Sequence, residues 1–293
     1  MWNFLSFERS DILDRIIFHI DVNNAFLSWT AVKLLNEGCK IDIREIPSVI
    51  GGDEEQRHGI VVAKSPVAKK YNIVTAESLY QARKKCPFLK VFKGDYNYYR
   101  ERSKELMEYL SNYSPDLEQY SIDECFLDMT GTNYLYDNII DLAYKIKDEI
   151  KEKFGYTVNI GIGNNKLCAK MASDFEKPNK VHTLFNEEVE TKMWPLDIAD
   201  LFMVGKKTTE KLKKLGYNTI YDVAHEKEER LQMLYEQNAV SYFQLLEGRA
   251  ARVDSQKSAE AMDEEISRGG ALLPPVYIER DSRKKAVDMT FLR

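Results

Sequence analysis

The sequence predicts an α/β or α+β fold, a β-sheet with helices packed on it and an all-helical unit after it. Three observations lead there. Short β-branched runs alternate with amphipathic helical stretches up to about residue 183. Two of those runs, residues 117–121 and 125–129, are separated only by a short polar bend, as in an antiparallel hairpin. From 184 to 252 only helical patterns remain.

Taken in order, Arg15-Ile-Ile-Phe-His-Ile-Asp21 is a β-branched apolar run ending in an acid, which predicts a buried strand. Residues 25–35 place Phe26, Trp29, Ala31, Val32 and Leu35 on one helical side. Residues 46–50 and 60–63 are expected strands around the polar loop GGDEEQRHG, followed by short helices at 66–71 and 79–85. A strand at 89–93 leads into an amphipathic helix over 97–110. In the hairpin, Ile122-Asp123-Glu124 stands at or near the bend. A helix over 138–154, a strand over 157–162 and a helix over 166–174 complete the sheet-bearing part. After Val253 the pattern fades into a polar stretch punctuated by Gly-Gly and Pro-Pro.

Composition narrows the function. The 293 residues are 44% hydrophobic and 30% charged, and no apolar run approaches the roughly 20 residues that cross a bilayer. Without a signal-peptide pattern either, a cytoplasmic protein with no membrane partner is expected. Cys39, Cys86, Cys125 and Cys168 lie far apart with no C-x-x-C pair, which predicts reduced, mostly buried thiols and no zinc site. The net charge is -5, but residues 61–104 hold eleven Lys or Arg against Glu77, Asp95 and Glu101, and 204–216 hold five lysines against one glutamate. Such local fields suit a polyanion better than the total does.

Acids at the ends of apolar strands are costly to bury unless paired or bound to a metal. Asp21 and the pair Asp123-Glu124 are so placed. Magnesium takes carboxylate oxygens and shares its sites with phosphates. A pair of such ions suits phosphoryl transfer.

Ser121-Ile-Asp-Glu124 followed by Cys-Phe-Leu-Asp128 resembles the catalytic signature of Y-family (translesion) DNA polymerases, the ImpB/MucB/SamB type that includes bacterial DNA polymerase IV. Asp21 in HIDVNNAF matches the family's first metal-binding aspartate, and Gly161-Ile-Gly-Asn-Asn-Lys-Leu-Cys-Ala-Lys170, running on to Lys177-Pro178, resembles its next signature. The similarity runs from about Ile16 to Arg252.

The resemblance implies a palm at 1–45 and 94–183, small fingers inserted at 46–93, and a helical thumb with a helix-hairpin-helix at 184–252. It implies that Asp21, Asp123 and Glu124 hold two Mg2+ ions, with the Val22 carbonyl an additional ligand. Phe26 falls where an aromatic ring excludes a ribose 2′-hydroxyl, and Lys69 and Lys166 fall where basic groups meet the triphosphate. Family members often carry Tyr and Arg where Pro66 and Lys69 stand here, and a commonly aromatic pair is replaced by Asn24-Ala25. In 204–216, Gly205, Lys206, Lys207 and Thr208 match a helix-hairpin-helix that contacts DNA phosphate without reading sequence. The implied partners are primer-template DNA and deoxynucleoside triphosphates, and the implied role is error-prone synthesis in DNA repair. No convincing sliding-clamp peptide stands at the C-terminus.

Two other readings compete. Residues 253–293 are too few for the extra DNA-gripping domain of the family, so a divergent or truncated tail is expected. A degenerate polymerase that only binds DNA or a partner would share that feature. Gly51-Gly-Asp-Glu-Glu55 resembles the GGDEF-type signature of diguanylate cyclases, although it ends in Glu.

Overall fold

Six consecutive buried residues, Ile17–Val22, form strand β1 in the middle of a five-stranded sheet. The computed structural model describes residues 15–52, 59–227 and 230, all within a unit spanning residues 1–253. The expected tail at 253–293, the thumb residues 231–252 and most of the GGDEEQRHG loop lie outside the described residues.

The sheet order is β5 (Leu117–Gln119), β6 (Glu124–Asp128), β1, β7 (Val158–Gly163), β8 (Val181–Leu184). β1 runs antiparallel to both neighbours, while β8 is parallel to β7, so the sheet is mixed. Period-two alternation sorts β1 into two faces. Phe18, Ile20 and Val22 enter a large core with Trp29 of α1 (Ala25–Asn36), Leu106 of α4 (Tyr96–Leu110) and Ile146 of α5 (Ile139–Phe154). Each such fully buried side chain contributes about 1.5–3 kcal/mol.

Ile17, His19 and Asp21 take the opposite face, covered by α6 (Lys166–Asp174). Gly161 and Gly163 of β7 let that helix come close. A Cβ on Gly161 would stand 2.0 Å from the Ala169 carbonyl oxygen, and one on Gly163 would stand 2.7 Å from the Cys168 Cβ.

A second sheet, ordered β3 (Val61–Lys64), β2 (Ser48–Gly51), β4 (Lys90–Lys93), carries α2 (Pro66–Lys70) and α3 (Leu79–Lys85) over a small core of its own. Ser65 and Ser78 cap these helices by accepting from the amides of Ala68 and Gln81. After β8, the short α7 (Val189–Lys192), α8 (Lys206–Lys214) and α9 (Ile220–Ala224) share a core in which Met193, Ile198, Leu212 and Ile220 meet Leu167 and Met171 of α6.

Two elements differ from expectation. The four-residue β8, Val-His-Thr-Leu, is too short to register as a pattern and is fixed by pairing along β7. β6 opens one residue earlier than expected, at Glu124 directly after the bend, because its Cα pairs with Asp21 in the antiparallel ladder. The thiols of Cys86, Cys125 and Cys168 are buried, whereas Cys39 is exposed.

Candidate active site

β1 and β6 bring the three predicted acids to one end of the sheet. Asp21 and Glu124 are Cα partners across the two strands, and the Val22 amide donates to the Asp123 carbonyl at 3.0 Å. Alternation turns Asp21 and Glu124 toward α6, where cations wait for them. Lys170 donates to Glu124 Oε2 at 2.6 Å, and Lys177 pairs with Asp21 and, at 2.8 Å, with Asp174.

His19, fully buried two residues before Asp21, lies 3.0 Å from Glu124 Oε2 through Nε2 and 2.8 Å from the Ser173 hydroxyl through Nδ1. Burial lowers its basicity, so the ring is neutral and its partners assign the proton to Nε2, facing the carboxylate. Burial alone would raise the Glu124 carboxyl. The hydrogen bonds from His19 and Lys170 outweigh it and hold the group at about 2. Asp123 behaves oppositely. Burial pushes its carboxyl up, and the charges of Asp21 and Glu124 add to the shift against a 2.7 Å bond from the Ser121 hydroxyl.

Beside these acids opens a cleft of about 530 Å³. Its lining includes Asp123, Phe26, Lys69, Thr75 and Pro178, drawn from both sheets and the loop after α6. Asn24 sets the turn between β1 and α1. It adopts the left-handed conformation that Asn tolerates (φ 51°) and donates to the Lys64 carbonyl at 2.8 Å, tying that turn to β3. The Phe26 ring stacks on Tyr99 (centroids 4.9 Å apart, planes 19° apart), and the Tyr99 hydroxyl is fixed 2.7 Å from Thr30 Oγ1.

A buried amide pair supports the loop that carries Lys177. Asn23 donates to Asn159 Oδ1 at 3.1 Å and accepts from the Asn179 amide at 2.8 Å, while Asn159 donates to the Ser173 and Glu176 carbonyls.

Of the predicted residues, the structure thus brings together Asp21, Val22, Asp123, Glu124, Phe26 and Lys69. Lys166 stands apart from the cleft lining: it pairs with Glu118 of β5 and lies over the Phe126 ring at 5.5 Å. Lys170, Lys177 and His19 also meet the acids, although in the sequence they stand within the quoted motifs with no role assigned to them. The available signal for Lys170 was its i,i+4 spacing from Lys166 on one helix.

Gly205 caps α8 with extended backbone (φ -78°, ψ 169°) and, among the described residues, no neighbour within 4 Å of where a Cβ would stand. Lys206 and Lys207 beside it are exposed.

The three carboxylates supply hard oxygen donors of the kind Mg2+ prefers, and burial with the neighbouring Asp21 and Glu124 charges raises the Asp123 carboxyl. Two of the three now face ammonium groups, and no three ligand-type side chains converge on one point among the described residues. The donor set is of the chemistry a divalent ion takes, while in this arrangement Lys170 and Lys177 occupy Glu124 and Asp21.

This mixed sheet with acids at one end, a smaller sheet beside it and a helical unit after it is the architecture of the Y-family polymerases. A chimeric Y-family DNA polymerase built from Dbh and Dpo4 superposes with a TM-score of 0.72 at 23% identity, covering 82% of this chain and 67% of that one. DinB from Sulfolobus solfataricus gives 0.69 at 24% identity, covering 83% and 67%. The impB/mucB/samB family profile matches residues 20–174, and the IMS family HHH motif matches 186–217. The chain belongs to the impB/mucB/samB family.

Its curated relatives include DNA polymerase IV of Clostridium acetobutylicum, 52% identical over 72% of this chain and 53% of that protein. DNA polymerase IV of Alkaliphilus oremlandii is 39% identical over 74% and 53%. The chain spans about half the length of these relatives. The Gly51–Glu55 segment falls inside the family match, so the cyclase reading is not favoured. No helix among the described residues is long and apolar enough to cross a membrane.

Proposed function

We propose that the chain is the catalytic part of a template-directed DNA polymerase that adds deoxynucleoside monophosphates to a primer 3′-hydroxyl and releases pyrophosphate. In this reading 1–45 and 94–183 are the palm, 46–93 the fingers and 184–252 the thumb. One observation carries it: an acid, a gating aromatic ring and a lysine from separate segments line a single cleft beside Asp21 and Glu124. A similar solved structure is an insertion ternary complex of the DNA polymerase Dbh.

Asp21, Asp123, Glu124 and the Val22 carbonyl would hold two Mg2+ ions, whose charge would activate an attacking hydroxyl and neutralise a leaving pyrophosphate. The chain's own groups do the rest. His19 and Lys170 keep Glu124 ionised and oriented. Phe26, fixed on Tyr99, occupies the space a 2′-hydroxyl needs. Lys69 at the cleft and Lys177, next to cleft-lining Pro178, supply positive charge for the triphosphate. The small Asn24 and Ala25 leave the cleft floor open, which suits low fidelity and a role in damage tolerance.

Primer extension on an undamaged primer-template tests this reading. The chain should extend with Mg2+ and four deoxynucleotides, stop with EDTA and recover on added Mg2+. Asp123→Ala should reduce extension at least about a hundredfold, since it removes charge stabilisation made in the transition state. Folded protein that extends nothing, or a variant that extends normally, would sink the proposal.

A further inference from the structure

The fingers are strongly basic in an acidic chain. Residues 60–93 contain eight Lys or Arg and one acid, Glu77, which Lys85 already pairs at 2.5 Å, while the whole chain carries -5. Lysines in the last turns of α2 and α3 complement the helix dipoles, and that alone would explain the charge. It does not explain the rings interleaved with it. Tyr80 and Phe88 are 67% and 58% exposed. Lys84 Nζ sits 4.5 Å from the Tyr80 ring centre, and Tyr71 meets Phe88 edge-on at 5.5 Å.

The contacts make this one surface. The C-terminal ends of α2 and α3 touch through Lys85, whose ammonium donates to the Asn72 carbonyl at 2.8 Å, and through the Tyr71–Phe88 pair. Lys70 and Lys84 have no carboxylate partner among the described residues. The surface also adjoins the cleft along the chain: Lys69 and Thr75 line the cleft, and Lys70, Tyr71 and the exposed Val74 are their immediate neighbours or next to them.

We propose that this outer face of the fingers is a track for single-stranded DNA, gripping the unpaired template that has yet to reach the cleft. The inference rests on the polymerase reading above. Cations without counter-charges attract phosphates, and exposed rings offer stacking platforms that unpaired bases can use and duplex bases cannot. A protein partner fits less well, because protein interfaces are depleted in lysine. The contacts are sequence-tolerant, as a template track requires, since every base presents a stacking face.

Two readouts on the full chain test this inference. In the first, fluorescence anisotropy follows a labelled twelve-residue oligo-dT with wild type, with Tyr80→Ser, and with Lys70→Glu/Lys84→Glu. All three positions are exposed, and circular dichroism checks that each variant is folded. Each variant should bind the oligonucleotide about fivefold or more weakly, the loss expected of one base stack or two phosphate contacts.

In the second, the KM for primer-template is compared on substrates whose 5′ overhang is one or eight nucleotides long. Wild type should favour the long overhang. The variants should lose that preference while extending the short overhang at the wild-type rate. Equal oligonucleotide binding by wild type and folded variants would overturn the track and leave this face to a protein partner. A wild-type KM indifferent to overhang length would overturn its role in synthesis. Failure of wild type to extend any substrate would overturn the polymerase reading instead, and the anisotropy result would still decide whether the face binds a single strand.

Discussion

In the proposed polymerase Phe26 would be made into a gate by its neighbours. A lone Phe on a cleft wall can turn aside. This one is backed by Tyr99, which is itself buried and held at Thr30 Oγ1, so yielding would disturb the core under α1. Phe26→Ala should therefore raise ribonucleotide incorporation relative to deoxynucleotide by about ten- to a hundredfold, the range that steric discrimination in a pocket provides. Competing the two nucleotide types in single-insertion kinetics measures it. An unchanged ratio would mean that the ring is packing and not a gate. The three acids drew notice in the sequence because a carboxylate at a strand end asks for a partner, and the resemblance then implied their metal role. The contacts of Lys170 and Lys177 with those acids were not legible there. Lys166 and Lys170 have the same charge on the same helix, and which one reaches Glu124 depends on how α6 crosses β7, a matter of tertiary geometry.

That crossing belongs to the element scale and is set by glycine. With the Ala169 carbonyl oxygen 2.0 Å from a would-be Cβ and the Ser173 nitrogen at 2.4 Å, Gly161→Ala forces α6 off the sheet. The expected loss is about 3 kcal/mol, at the upper end for overpacking, read as a lowered urea midpoint. Extension should fall with it, since Lys170 and Ser173 ride on the displaced helix.

A second joint links α4 to α5. Tyr109 and the following Tyr113 donate to Glu149 Oε2 at 2.5 and 2.8 Å. These two hydrogen bonds, Tyr109 first, hold the Glu149 carboxyl below its ordinary value. A lowered folded-state pKa adds stability above the unfolded value of about 4.3 and loses it as pH falls through the folded one. Glu149→Gln should thus flatten the fall of Tm between about pH 5 and 3 and cost under about 1 kcal/mol at neutral pH, because the carboxylate is 40% exposed. A variant profile parallel to wild type would refute the linkage. Most helices and strands could be read from periodicity because each has its own pattern. β8 could not, since four residues of mixed polarity become a strand only by lying along β7.

At the scale of the whole molecule, charge is segregated and not balanced. The net -5 would repel DNA if spread evenly, so the proposed DNA binding would have to come from local patches such as the N-terminus of α8, where Gly205, Lys206 and Lys207 are exposed. Among these residues Gly205 is informative because nothing among the described residues of the fold needs it. Its backbone is extended and its surroundings are open, so a serine there would cap α8 at least as well. Gly205→Ser should leave Tm unchanged or slightly raised and yet weaken binding to a blunt duplex, if the missing side chain makes room for a phosphate. Lys206→Glu/Lys207→Glu should weaken binding without regard to sequence and lower the slope of log K against log salt by about one per lysine. Anisotropy on a blunt duplex between about 50 and 200 mM salt, where a phosphate-dominated contact loses affinity steeply, measures both effects. A Gly205→Ser chain that binds as wild type, together with an unchanged slope in the lysine pair, would place the duplex on another surface and leave α8 as a solvated helix.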